Sequence, residues 1–278
     1  MNALPFSKQV RVVAALVDGC SIRATARLCD VNRETVMNLG LSIGEACQQL
    51  HDRMMCRLHI NALELDEIWA FVAKKQRRLT DADSPEMGDQ YTYVALDAVH
   101  KAIVSYRVGK RDSRTTNAFA LDLRRRIVNR PQITSDAFQP YLQAVTRAFG
   151  AEVDYAMLIK EEHLVVPLLG EPDPARISTS FVERNNLSMR MQVRRFTRKT
   201  NGFSKKLRNH TAAVSLYVAH HNYCRVHETL GKTPGMALGI TSHIWSIGEL
   251  IEAATSIGPS LARPIKTGHS DPENRPLG

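Results

Sequence analysis

At 278 residues, 44% hydrophobic and 23% charged, the chain has room for one full-sized domain plus a small one, with ample material for a core. Thirty-seven Lys and Arg against 28 Asp and Glu leave a formal charge of +9, which points to a polyanionic partner, nucleic acid ahead of an anionic membrane. No apolar run approaches the ~20 residues of a membrane span, and Arg11 interrupts the only apolar stretch near the N-terminus, so neither a membrane protein nor an exported one is expected. Cys20, Cys29, Cys47, Cys56 and Cys224 form no CxxC pair, which predicts reduced thiols in a cytoplasm and no structural zinc.

The chain divides into three regions: a helical segment over 1–58, alternating strands and helices over 59–255, and a proline-containing, aperiodic tail over 256–278 expected to be disordered. In the first region a helix over 7–17 carries Val10, Val13, Ala14 and Val17 on one stripe and ends at Gly19. A second helix spans 21–29, and the turn Asp30-Val31-Asn32 leads into a third from Arg33, with Asn32 as its cap. That is helix-turn-helix patterning, in which Arg33, Glu34 and Asn38 would face base edges and phosphates.

A strand is predicted over 62–74, then a polar loop, a hairpin from 91–97 and 102–108, and a helix over 115–129. A short strand at 131–136, a helix over 138–149, a strand at 153–157, an irregular stretch to 177 and a long helix from Phe181 complete the order. This β-β-β-α-β-α-β-α order is that of an α/β, ribonuclease H-like mixed sheet, preceded here by the helix-turn-helix.

On that fold Asp66 sits inside the first strand, Asp136 ends the fourth, and Glu183 lies in the first turn of the late helix. Neighbouring first and fourth strands would bring these distant residues together at the carboxyl edge, where open α/β sheets place ligands. Three converging carboxylates need a cation, and an all-oxygen set suits Mg²⁺ (or Mn²⁺) and two-metal displacement at phosphorus. Each acid also has a local reading. Asp66 could lie exposed on an edge strand beside Glu64 and Glu67, Asp136 could cap the next helix, and Glu183 could form a capping box with Ser180. Asp97 is the best competing ligand.

The helix from Phe181 is read as continuing past Phe196, with Phe181, Val182, Met189, Val193 and Phe196 on its core face. The opposite arc then holds Glu183, Asn186, Arg190, Arg194, Thr197 and Arg198. Residues 184–227 contain ten Lys and Arg and no acid, a pattern of a phosphate track rather than a solvated face. Arg33, Asn38, Arg190, Arg194, Arg195, Arg198, Lys199 and Lys205 are the candidate DNA contacts.

The stretch from Val182-Glu183-Arg184-Asn185-Asn186 through Arg194-Arg195-Phe196-Thr197-Arg198-Lys199 to Phe203-Ser204-Lys205 resembles the Glu motif of the IS1 family of insertion-sequence transposases. Leu65-Asp66-Glu67-Ile68-Trp69 is similar to that family's first-Asp strand, and Thr134-Ser135-Asp136 to its second. Tyr223 to His227 with Leu230 to Pro234 resembles a phrase shared among DDE transposases. Two features depart from the family pattern: no cysteine finger precedes the helix-turn-helix, and the segment between Asp136 and Glu183 is long, with 158–177 an added hairpin or loop.

The resemblance implies a DDE transposase with Asp66, Asp136 and Glu183 as its triad. It would bind terminal inverted repeats, cut the element's 3′ ends with Mg²⁺ and join them to target DNA. It would work as a homo-oligomer, at least a dimer, in a bacterial cytoplasm and on the nucleoid. A nuclease that cuts without joining, and an inactive remnant that regulates through its helix-turn-helix, are the alternatives.

Overall fold

A computed structural model describes residues 4–159, 164–197 and 200–257. The chain opens with three helices, α1 (Phe6–Val17), α2 (Ile22–Cys29) and α3 (Arg33–Met54). Ser21 caps α2 by accepting the Ala24 N–H, and Asn32 caps α3 by accepting the Glu34 N–H. Between them Asp30 takes a left-handed conformation, φ 52°, which closes the turn. Val12, Ala26, Cys29 and Val36 form a small core of their own.

The third helix does not stop with that module. It runs on for 22 residues, and Ile43, Cys47 and Leu50 enter the main core. There α3 lies along α7 (Leu207–Tyr223), so close that a Cβ on Gly44 would stand 2.2 Å from the Ala212 carbonyl oxygen.

The sheet has six strands: β1 (Ala62–Val72), β2 (Gly88–Asp97), β3 (Ile103–Gly109), β4 (Gln132–Asp136), β5 (Asp154–Ile159) and β6 (Leu164–Leu169). Their order is β3-β2-β1-β4-β5-β6. The β1–β2 and β2–β3 pairs are antiparallel, while β1–β4 and β4–β5 are parallel. The first five strands therefore take the ribonuclease H-like arrangement that the pattern predicts. The stretch read as irregular, with 158–177 a hairpin or loop, takes the hairpin form: β6 runs antiparallel to β5. Its apolar Leu164-Val165-Val166 run is half exposed at the sheet edge, so it lacks the alternation that marks a one-sided strand.

Helices α4 (Ser113–Arg126) and α5 (Pro140–Phe149) cover one face of the sheet, where Phe119, Tyr141 and Val145 meet Leu63, Leu65 and Tyr93. On the other face α6 (Ser180–Gln192) and α7 bring Val182, Met189, Val214 and Tyr217 onto Ile68, Val94 and Leu96. Cover on both faces buries apolar residues of β1 and β2 on either side of the sheet, Leu63, Leu65 and Tyr93 on one and Ile68, Val94 and Leu96 on the other. A short α8 (Pro234–Ala237) precedes α9 (Ile247–Ser256), which starts with a Ser246–Glu249 capping box. No helix among the described residues is long and apolar enough to cross a membrane. The predicted disordered tail lies outside the described residues from 258 onward, and Ser256 closes α9.

Two features of this frame set the surroundings of the sheet's carboxyl edge. First, α6 ends at Gln192 and gives way to a tight 3₁₀ turn, Arg194–Phe196. The helix therefore does not continue through Thr197, and Arg194 does not share a helical arc with Glu183. Phe181 also leaves the predicted core face: it is 43% exposed, with the Lys101 ammonium 3.0 Å from its ring centre. Second, β1 outruns its neighbour. Its register with β4 covers only Ala62 to Leu65, and beyond that the edge stands open until Ser204 bridges Val72.

Candidate functional site: a carboxylate cluster where β4 ends

Leu65 pairs with Ser135, so Asp66 and Asp136 stand side by side one step further on, at the carboxyl end of β4. Residues paired across neighbouring strands share a face, so both side chains belong to the side covered by α6. Asp66 lies on a central strand between β2 and β4, which removes the edge-strand reading. Asp136 Oδ1 accepts the Phe138 N–H at 3.1 Å, but α5 begins at Pro140 with Gln139 before it, so Asp136 does not cap that helix.

Asp66, Glu67 and Asp136 can each offer a carboxylate oxygen such that the three atoms lie within 4.8 Å of one another. Glu67 was visible in the sequence only as a neighbour of Asp66. Strand alternation puts it on the opposite face, and it joins the cluster because β4 stops there. Its Oε1 accepts from Arg111 at 2.6 Å and its Oε2 from the Tyr141 hydroxyl at 3.0 Å. Burial, and then the Asp136 charge, raise its pKa to about 7, with Arg111 pulling the other way.

Glu183 is outside that tight group and approaches from above the sheet. It sits in the first turn of α6 and accepts from the Thr179 hydroxyl at 2.5 Å. Thr179, not Ser180, is the residue before the helix, so the predicted capping box with Ser180 does not form. Three residues after Glu183, on the same helix face, Asn186 donates to Asp66 Oδ2 at 2.7 Å. Asn186 is 3% exposed, so it faces the sheet rather than the predicted outer arc.

The start of α6 is fastened by a second acid. Glu64 is 2% exposed, shares a face with Asp66, and accepts the Val182 N–H at 2.8 Å. The Phe181 N–H and the Ser178 hydroxyl also bond to it, while burial raises its pKa. It does for α6 what an N-cap does, from another element. Asp97, the competing ligand, is fully buried and organises the β2–β3 turn by accepting from the Val99 N–H and pairing with His100. It pairs with Leu63, toward the other end of β1, and is not in the cluster.

Of the residues assigned to DNA, Arg33 and Asn38 are exposed on the first turns of α3, Arg194 and Lys205 are exposed, and Arg190 is partly so. Arg195 instead turns inward and donates to Ser204 Oγ at 2.9 Å. Arg198 and Lys199 lie outside the described residues.

Residues 172–224 match the IS1 transposase family, a span that holds α6 with Glu183 and all of α7. A curated relative, the insertion element iso-IS1n protein InsB of Shigella dysenteriae, is 26% identical over 160 residues, which is 58% of this chain and 95% of the relative. Among solved structures, a pre-cleavage Mos1 transpososome is 10% identical with a TM-score of 0.31, covering 92% of this chain and 79% of that one. The Mos1 transposase paired-end complex with the left transposon end is 14% identical with a TM-score of 0.23, covering 55% of this chain and 60% of that one. Strand order, rather than these loose overlaps, carries the fold. The two sequence matches make the chain similar to IS1 transposases, over residues 172–224 for the family and over 160 residues for the relative.

Proposed function

We propose that the chain is a DDE transposase of a bacterial insertion sequence, with Asp66, Asp136 and Glu183 as its metal-binding carboxylates. The observation that carries this reading is the side-by-side seating of Asp66 and Asp136 on parallel neighbours, below the helix that bears Glu183. Asp66 and Asp136 already belong to a close all-oxygen set, which suits a hard divalent cation, and Glu183 is assigned as the third ligand from the helix above. Bound there, Mg²⁺ or Mn²⁺ would neutralise the carboxylates and stabilise charge during displacement at phosphorus.

The chain's own groups do the rest. Asn186 fixes one oxygen of Asp66 and so sets the turn of that carboxylate toward the cluster. Glu64 sets the height of α6 over β1. Arg111 and Tyr141 hold Glu67 back on the far face, where it can add negative charge without displacing Asp66. Residues 1–58 are assigned to recognition of the terminal repeats through Arg33 and Asn38, and 59–255 to chemistry. Arg190, Arg194, Arg198, Lys199 and Lys205 are assigned to phosphates of the bound strand, and Arg195 to holding the turn that presents them. Because two ends must be cut together, the working form is a homo-oligomer, at least a dimer, acting on the bacterial nucleoid in the cytoplasm.

The test is cleavage and strand transfer on DNA carrying the element's terminal repeats, with Mg²⁺, by the native chain and by Asp66→Asn and Asp136→Asn. Each variant should lose activity by about a thousandfold or more while keeping its thermal transition. Near-native strand transfer by either variant would overturn the assignment, and cleavage without joining by the native chain would leave a nuclease.

A further inference from the structure

Where β1 runs on beyond β4, its side chains on the Glu67 face, across the strand from Asp66, make a second feature. Phe138, two residues after Asp136, lies under the Arg111 guanidinium, 4.0 Å from its ring centre, and Arg111 also reaches the Tyr91 ring at 5.8 Å. Tyr91 pairs across the strands with Trp69. The Trp69 and Phe71 ring centres are 5.9 Å apart, those of Phe71 and Phe203 are 4.6 Å apart, and the Lys205 ammonium lies 4.1 Å over Phe203. All five aromatic residues are partly exposed.

The result is a strip of rings interleaved with cations, about 13 Å along β1 from Glu67 to Phe71 at ~3.3 Å per residue. At its far end Lys75, Arg77 and Arg78 are exposed. Lys74 is paired with Asp83 and Arg111 with Glu67, and the loop and start of β2 carry Asp81, Glu86 and Asp89, so the strip's positive charge sits at Lys205 rather than in the loop. A core cluster would bury these rings, and a phosphate track alone would not need them. Rings that alternate with cations match a chain whose flat bases alternate with phosphates. Bases in a duplex have both faces covered by their neighbours, so only unpaired bases can use such rings.

We propose that this strip binds unpaired nucleotides of a bound DNA strand, by stacking bases on Trp69, Phe71 and Phe203. The proposal rests on the transposase reading above, but its test does not need catalysis. Full-length protein in metal-free buffer is titrated with a short oligothymidine, with an abasic oligomer of the same number of phosphates, and with a blunt duplex, following tryptophan emission and anisotropy. Trp69 and Trp245 are the two tryptophans, so a Trp245→Phe variant isolates the Trp69 signal.

Oligothymidine should quench Trp69 and bind about tenfold or more tightly than the abasic oligomer, since each stacked base contributes roughly that factor. The duplex should quench weakly. Phe203→Ala should remove most of the difference, while Trp69→Phe should preserve it. Equal affinity for the base-bearing and abasic oligomers, or equal quenching by the duplex, would overturn the strip. No binding to any of the three would instead count against the transposase reading as well, which separates the two failures.

Discussion

The two halves of the carboxylate site are held by different forces. Asp66 and Asp136 ride on adjacent parallel strands, and the backbone ladder that ends at Leu65 and Ser135 fixes their spacing. Glu183 rides on a helix with no ladder to the sheet. It is held by the apolar packing of Val182 and Met189 on the sheet and oriented by polar side chains: Glu64 on the Val182 N–H, Asn186 on Asp66, and Thr179 on Glu183 itself. A ladder tolerates changes in the side chains around it, whereas a polar fastening fails with the loss of one group. The strand-borne half should therefore be robust in position and the helix-borne half adjustable.

The largest expected effect comes from the helix-borne acid. Glu183→Gln keeps the acceptor for the Thr179 hydroxyl and removes only the charge, which costs about 1 kcal/mol or less near a helix start. If the charge serves only the helix, cleavage stays near native. As a metal ligand its loss should lower strand transfer on a pre-cut end by about a thousandfold, with end binding intact. Paired measurements of melting, end binding and strand transfer distinguish the two, and near-native transfer excludes Glu183 from the triad.

Next in size is the fastening. Glu64→Gln replaces an acceptor of N–H groups by an amide that must turn one donor toward them. Groups that orient a metal ligand are typically worth 10- to 100-fold in metal affinity or activity. The Mn²⁺ concentration giving half-maximal cleavage should therefore rise by about that factor, while the maximal rate at saturating metal changes less. A drop in maximal rate alone, with unchanged metal dependence, would show that Glu64 only stabilises the fold.

That division also explains what was legible in the sequence. Asp66 and Asp136 could be placed from strand order alone, because the register of a sheet follows from its pattern. Glu67 could not, since its membership depends on where β4 stops. Asn186 was assigned to the outer arc because helical periodicity gives a direction but not the facing surface, and its partner lies 120 positions away. The arginine stripe failed for a local reason: α6 ends at Gln192, and a turn of three residues redirects Arg194 and Arg195. Residues 158–177 stayed open between hairpin and loop because an exposed apolar edge strand such as β6 lacks the period-two signal. The helix-turn-helix boundaries, by contrast, were set by Ser21, Asp30 and Asn32, whose capping and turn chemistry acts within a few residues.

The helical layer should also be the part that acid releases first. Burial lowers the pKa of His51 on α3 and His210 on α7 to about 3, and of His221 on α7 to about 4. In the unfolded chain these imidazoles take up protons below a pH of about 6.5. Between that value and about 4 the unfolded state binds more protons, so stability falls as pH falls. Glu67 acts with the opposite sign, because its raised pKa makes the folded state bind the extra proton between about 7 and its usual value. Three histidines outweigh it. Melting temperature should decline steadily from pH 6.5 to 4, with hydrogen exchange rising in α3 and α7 before β1 and β4. A flat melting profile over that range would show that the imidazoles relax into solvent without unfolding.

The smallest effect concerns the module farthest from the chemistry. Arg33 is exposed at the first turn of α3, beside the Asn32 cap, where a side chain can reach a phosphate without disturbing the small core of Val12, Ala26, Cys29 and Val36. Neutralising one phosphate releases about one counterion, so Arg33→Ala should reduce the slope of log affinity against log salt by about one unit. Binding to terminal-repeat DNA should weaken in low salt, and cleavage of substrate held far above its dissociation constant should hardly change. Yet α3 is one continuous helix from Arg33 into the main core, where Gly44 lies against α7. A recognition residue on such a helix could influence the site through the rod itself. A variant with altered cleavage at saturating DNA, but an unaltered salt slope, would mean that α3 transmits rather than reads.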